Sequence, residues 1–278
     1  MEQITIRVPA TSANLGPGFD CLGVALQLHS HVTVRRGGSA APSSMVEQAA
    51  HTFFDDSETA PFDFSWEIKG DIPRSRGLGS SVALRLGILH GLNALSGRPL
   101  DANQLYRLCA HLEGHPDNAA PGAFGGFTTA RPDQTFFRCE ISSALHFVFL
   151  VPGEEIETDE SRVRLPHEIL HLDAVQNSAH ASMVTAAFAS QRYELLRGSM
   201  NDWLHQPYRE ASVPHLRPAI AAGIGAGALD GYLSGSGSAV ACVTLQNPEA
   251  VAEAMQTVLP GARVLVLQAD NTGVHPEF

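Results

Sequence analysis

Apolar and polar residues alternate over residues 4–8 and again over 26–34, the period-two pattern of half-buried strands. Residues 10–23, between them, hold too much Gly, Ser and Asn for a regular element and read as a loop. Residues 37–44 are soft and polar and precede a predicted helix over 45–54; residues 64–68 read as a strand. Val82, Leu86, Leu89 and Leu92 recur at helical spacing, and 100–113 is a further helix. Residues 146–151 form a strongly apolar strand, and 220–227 close a helix ahead of a small-residue loop at 234–238. A chain of 278 residues with 44% hydrophobic content can bury a sizeable core in one large or two moderate domains. The boundary is placed near 140–145, giving domains 1–142 and 143–278.

Charge and composition narrow the class. The net charge of −11 argues against nucleic acid or an anionic membrane as partner, so an anionic ligand needs locally placed arginines. No apolar run reaches the ~20 residues that span a bilayer, and the first residues lack the basic and apolar regions of a signal peptide. The expected location is the cytoplasm, with Cys21, Cys109, Cys139 and Cys242 as reduced thiols.

Pro73-Arg74-Ser75-Arg76-Gly77-Leu78-Gly79-Ser80-Ser81 is a glycine-rich turn running straight into a helix. Its glycines let backbone amides approach an anion, and a helix start favours negative charge, so the segment reads as a phosphate cradle. The plainer alternative is that the serines simply cap the helix. The chain's one lysine, Lys69, precedes this turn, which excludes a Walker-type loop and a protein-kinase arrangement. Phosphates would then be held by amides, hydroxyls, a metal and Arg74 or Arg76.

Other polar clusters stand out: residues 10–20, with Asn14 and Asp20; Glu113-Gly114-His115-Pro116-Asp117-Asn118; Thr158 with Arg162; Tyr208-Arg209-Glu210; and Ser234 to Ser238. Each has a plainer reading as a surface turn, a helix stop or solvated arginines.

In order and content these segments resemble the homoserine kinases of the GHMP group. The likeness runs from Val8 to about Val243 and rests on Val8-Pro9-Ala10-Thr11-Ser12-Ala13-Asn14-Leu15-Gly16-Pro17-Gly18-Phe19-Asp20, the glycine turn, the cluster from Glu113 through Ala120-Pro121, the Thr158 to Arg162 spacing and Pro207-Tyr208-Arg209-Glu210. It implies an α+β fold, with an N-terminal domain like ribosomal protein S5 domain 2 and a ferredoxin-like C-terminal domain. It also implies ATP-dependent phosphorylation of the L-homoserine hydroxyl, giving O-phospho-L-homoserine for threonine synthesis, with Mg²⁺ as cofactor and a homodimer as the assembly. Carried over residue by residue, Arg162 and Arg209 bind the substrate carboxylate, Asp20 the ammonium and Asn14 the reacting end, with His115 in the same pocket. Asn118 stands where mevalonate-type relatives have a catalytic base, and Thr158 orients the hydroxyl proton. Ser81 and Glu113 match the magnesium positions, and Pro73 to Ser81 wraps the triphosphate. The chain departs from the family at Ser238 and Ala239, where Pro and Thr are usual, and at Ser44-Met45-Val46, in a segment that contacts adenine. Another small-molecule kinase of the group and a non-catalytic ligand-sensing homologue are the alternatives.

Overall fold

The computed structural model describes residues 1–38, 42–154 and 161–277. Strands β1 (Gln3–Asn14) and β2 (Gly18–Arg36) form a long antiparallel pair. The expected loop over 10–23 is therefore mostly strand. Its polarity misled because the polar side chains are buried against partners rather than exposed: Thr11 and Ser12 are both inaccessible to solvent. Bulges at Pro9/Ala10 and Ala13/Asn14 break the alternation that would have marked a strand.

The first sheet has the order β10-β1-β2-β4-β5, with β3 (Phe64–Gly70) also pairing β2. The others are β4 (Phe127–Ala130), β5 (Phe136–Cys139) and β10 (His275–Glu277). Helix α2 (Ser80–Leu95) packs on β1 and β2, flanked by α1 (Ser44–Asp56), α3 (Ala102–Glu113) and α4 (Ala119–Phe124). The start of α3 is fixed by a capping box, in which the Asp101 carboxylate accepts from the Gln104 amide and the Gln104 side chain returns to Asp101 N.

The second sheet has the order β7-β8-β6-β9, all antiparallel, from β6 (His146–Val151), β7 (Asp230–Leu233), β8 (Val240–Thr244) and β9 (Arg263–Leu267). Between β6 and β7 run α5 (His171–Ser190), a short α6 (Gln206–Arg209) and α7 (Leu216–Gly225), and α8 (Pro248–Val258) links β8 to β9. This is the ferredoxin-like order. The unbroken apolarity of β6 follows from burial on both faces. Phe147, Phe149 and Val151 join the core shared with the first sheet, whereas Val148 and Leu150 face the core under α7 and α8.

The division at 142/143 does not separate the sheets cleanly, because β10 returns to pair with β1. Asp270 anchors that return. Its carboxylate accepts from Arg7 at 2.9 Å, the amides of Thr272 and Gly273, and His29 Nε2 at 2.8 Å, with only 3% of its side chain exposed. Burial pushes its pKa up, but the hydrogen bonds from His29 and the two amides outweigh it and hold it at about 2. Asp270→Ala should cost about 3–5 kcal/mol in urea unfolding, the usual loss on breaking a buried pair. Because the folded pKa is depressed, this contribution is present above the unfolded pKa of about 4 and is lost as pH falls through about 2. The stability curves of variant and wild type should therefore converge in acid. Among the described residues no helix is long and apolar enough to cross a membrane.

Candidate active site

The glycine turn is shaped by close approach. Gly77 and Gly79 have φ of +75° and +70°, and a Cβ on either would lie 2.0 Å from Ser234 O or Thr11 Oγ1. Gly79 is the N-cap of α2 and supplies no side-chain cap, so Ser80 and Ser81 lie inside the first turn rather than capping it. Ser81 Oγ instead donates to Glu113 Oε2 at 2.9 Å, while Arg85 Nη1 donates to Glu113 Oε1 at 2.5 Å.

This turn borders a cleft of about 910 Å³, along with Asn14, Phe19, Asp20, Glu113, His115, Asp117, Asn118, Arg162 and Arg209. Arg74, Ser75, Gly77, Gly79, Ser80 and Ser81 line it; Pro73 and Leu78 do not, and Leu78 is buried in the core. Arg76 also lies off the cleft. Its guanidinium donates to the carbonyls of Pro152, Gly153 and Arg74, and its own carbonyl accepts from Ala239 N, so it ties the turn to the end of β6 and to the 234–238 loop. Ala239, the departure from Pro-Thr, thus meets the turn through its backbone. Ser238 Oγ donates to Glu154 O. Met45, Trp66, Ile68 and Ile72 give the cleft an apolar part of its lining, while Val46 faces the core.

The predicted ligand-binding residues converge on the same cleft. Arg162 pairs with Asp20 at 2.6 Å, and the guanidinium carbons of Arg162 and Arg209 lie 5.3 and 5.4 Å from the ring centroid of Phe19. Burial and then the neighbouring Arg162 push Arg209 down to about 10, so it is still charged at neutral pH. Asn14 bridges the framework, its Nδ2 donating to Gly235 O and its Oδ1 accepting from Asp20 N, both at 3.0 Å. Asn118 Oδ1 accepts from Thr11 Oγ1 at 2.7 Å. His115 pairs with Asp117 at 2.6 Å; burial lowers its pKa, but the hydrogen bond and charge of Asp117, then Asp20, raise it overall. Thr158 lies outside the described residues.

Four residues that line or brace the site are not singled out by the sequence: Phe19, Thr11, Asp117 and His205, whose Nδ1 lies 3.1 Å from Arg209 Nη1. The first three sit inside the quoted clusters. His205 carries one signal, its i,i+4 spacing to Arg209.

The family model for the GHMP kinases N terminal domain matches residues 44–126, and that for the GHMP kinases C terminal domain matches 184–261. The homoserine kinase of Aliarcobacter butzleri is 35% identical, covering 98% of this chain and 99% of that protein. The homoserine kinase of Microchaete diplosiphon is also 35% identical, over 98% and 97%. A crystal structure of homoserine kinase from Cytophaga hutchinsonii superposes with a TM-score of 0.91 at 23% identity, covering 100% of this chain and 98% of that one. A crystal structure of mevalonate kinase shares the fold at a TM-score of 0.73 and 14% identity, over 96% and 99%. With both domain models matched and full-length relatives above 30% identity, the chain belongs to the GHMP kinase family, among its homoserine kinases.

Proposed function

We propose that this chain transfers the terminal phosphoryl group of ATP to the side-chain hydroxyl of L-homoserine. The observation that carries this reading is that the Asp20, Arg162 and Arg209 cluster and the glycine turn line one and the same cleft. Homoserine is a zwitterion with a hydroxyl tail. The Arg162–Asp20 pair is only partly buried and exchangeable: an incoming ammonium takes Asp20, and an incoming carboxylate takes Arg162 together with Arg209. A substrate without both charges would break this pair without replacing it.

The triphosphate lies along the backbone from Arg74 to Ser81, at the positive end of α2, with the base among Met45, Trp66, Ile68 and Ile72. Ser81 Oγ and Glu113 form a hydroxyl and carboxylate set 2.9 Å apart on the cleft wall, a hard-oxygen pair suited to Mg²⁺ shared with phosphates. Mg²⁺ held there would offset phosphate charge. Asn118 presents an amide held by Thr11 and takes up no proton, so alignment of the hydroxyl contributes more than its early removal. Asn14 acts by fixing Asp20 and the 234–238 loop, and His115 lines the pocket beside Asp117. The protein works in the cytoplasm as a homodimer.

The substrate reading is tested by coupled ADP release with L-homoserine, L-serine, L-threonine and mevalonate. We expect L-homoserine to have the highest kcat/KM. Mevalonate leading would favour another kinase of the group, and no turnover on any of them would favour a ligand-sensing role.

A further inference from the structure

Arg209 does not stand alone. Its Nη1 lies 3.1 Å from His205 Nδ1 and 3.1 Å from Gly235 O, and across the imidazole His205 Nε2 lies 2.9 Å from Gly16 O. A carbonyl only accepts and a guanidinium only donates, so Nε2 carries the proton and Nδ1 offers a lone pair. The ring is therefore neutral. Protonation would aim an N–H at a guanidinium. Burial lowers the imidazole pKa, Asp202 pulls it up and Arg209 down, with a net fall; Asp202, 3.5 Å from Nε2, Arg209 and the more distant Asp20 are the charged groups facing it.

Both hydrogens of Arg209 Nη1 are thus used inside the protein. Nε has no hydrogen-bond partner and these bonds use only Nη1, while the side chain lines the cleft, so Nε and Nη2 are the donors that remain for a ligand. Phe19 backs the arrangement, stacked on His205 at 5.2 Å. The amides of Leu204, His205 and Gln206 all donate to the Asp202 carboxylate, which fixes the turn carrying the ring.

We infer that His205 is a positioning residue for substrate: its neutral, Nε2-protonated ring holds Arg209 so that the free guanidinium edge meets the substrate carboxylate. The inference rests on the amino-alcohol kinase reading above. A purely structural histidine would need only the Nε2 bond to Gly16, whereas this role needs the Nδ1 bond to Arg209, and two amide replacements separate them. His205→Asn places an acceptor where Nδ1 lies and drops the Gly16 bond; His205→Gln places a donor where Nε2 lies and drops the Arg209 bond.

The experiment is steady-state kinetics with L-homoserine and ATP on wild type, both variants, and Arg209→Ala with and without His205→Gln. His205→Gln should raise homoserine KM about tenfold, the worth of one charge-assisted bond, with kcat and ATP KM within about twofold. His205→Asn should recover most of that loss even if its melting temperature falls. In the Arg209→Ala background His205→Gln should add less than about twofold. Wild-type KM in His205→Gln, equal effects of Gln and Asn, or a full additive effect without Arg209 would each overturn the inference. Absence of wild-type homoserine turnover would instead overturn the function it rests on. Should His205→Asn fail to fold, the Arg209→Ala pair still decides.

Discussion

Arg209→Ala should raise the KM for L-homoserine by roughly ten- to over a hundredfold while moving the KM for ATP less than about threefold. The lost interaction is a charge-assisted bond worth about 1.5–3 kcal/mol, and at 1.4 kcal/mol per decade that gives the stated range. Arg209 is a suitable source of so large an effect because it is buried, 3% exposed, and braced by Gly235 and His205, so little ordering remains to be done on binding. Arg162→Ala should act in the same direction but less strongly, since that side chain is 35% exposed and its removal also releases Asp20 from an ion pair. Asp20→Asn should weaken homoserine through the ammonium. The control is 3-aminopropan-1-ol, which keeps the ammonium and hydroxyl but lacks the carboxylate: it should be a poor substrate for wild type and lose little more on Arg209→Ala. If both arginine variants keep wild-type homoserine KM and kcat, the carboxylate clamp is wrong and another kinase of the group becomes the better reading.

Glu113→Gln should lower turnover more than tenfold at saturating Mg²⁺ and leave the fold intact. The substitution keeps the side-chain shape and one acceptor oxygen, which can still take the Arg85 hydrogen, while its amide nitrogen faces Ser81, whose hydroxyl can turn to accept; the negative charge is removed. That charge is the one suited to a divalent cation beside the triphosphate, where charge developing during transfer must be neutralised. Circular dichroism and urea unfolding separate a catalytic loss from a folding loss. Ser81→Ala should act in the same direction but more weakly, because the hydroxyl is a neutral ligand. Unchanged turnover of Glu113→Gln would remove Glu113 from the metal environment.

The parts of this site legible in the sequence were those where backbone freedom and charge coincide. The run from Gly77 to Ser81 announces a turn feeding a helix, and the structure shows why both glycines are needed: Ser234 and Thr11 occupy the space where a Cβ would be. The helices over 45–54 and 100–113 and the strand over 146–151 appear almost as their patterns predict. What the pattern concealed was strand built from site residues. Thr11 bonds Asn118, and Ser12 meets Tyr232 and Ser234, so residues that look like loop are buried polar links between sheet and loops. The 20-residue α5 was also not anticipated, since few of its side chains are buried and little periodicity survives. The dependence of Arg209 on His205 is half written in their spacing, but the bond from His205 to Gly16 joins residues 189 positions apart, and no local pattern encodes it. Arg76 is the converse case: a cation in a phosphate-like turn reads as a phosphate ligand, and here its guanidinium donates to main-chain carbonyls.

The most direct test of the central claim is ³¹P NMR of the reaction of the wild-type protein with ATP, Mg²⁺ and L-homoserine. The account predicts a new phosphate-monoester resonance, split by the two protons of the adjacent methylene, that grows in step with ADP and does not form without L-homoserine. ADP accompanied only by inorganic phosphate, or by a labile acyl phosphate on the carboxylate, would contradict transfer to the hydroxyl.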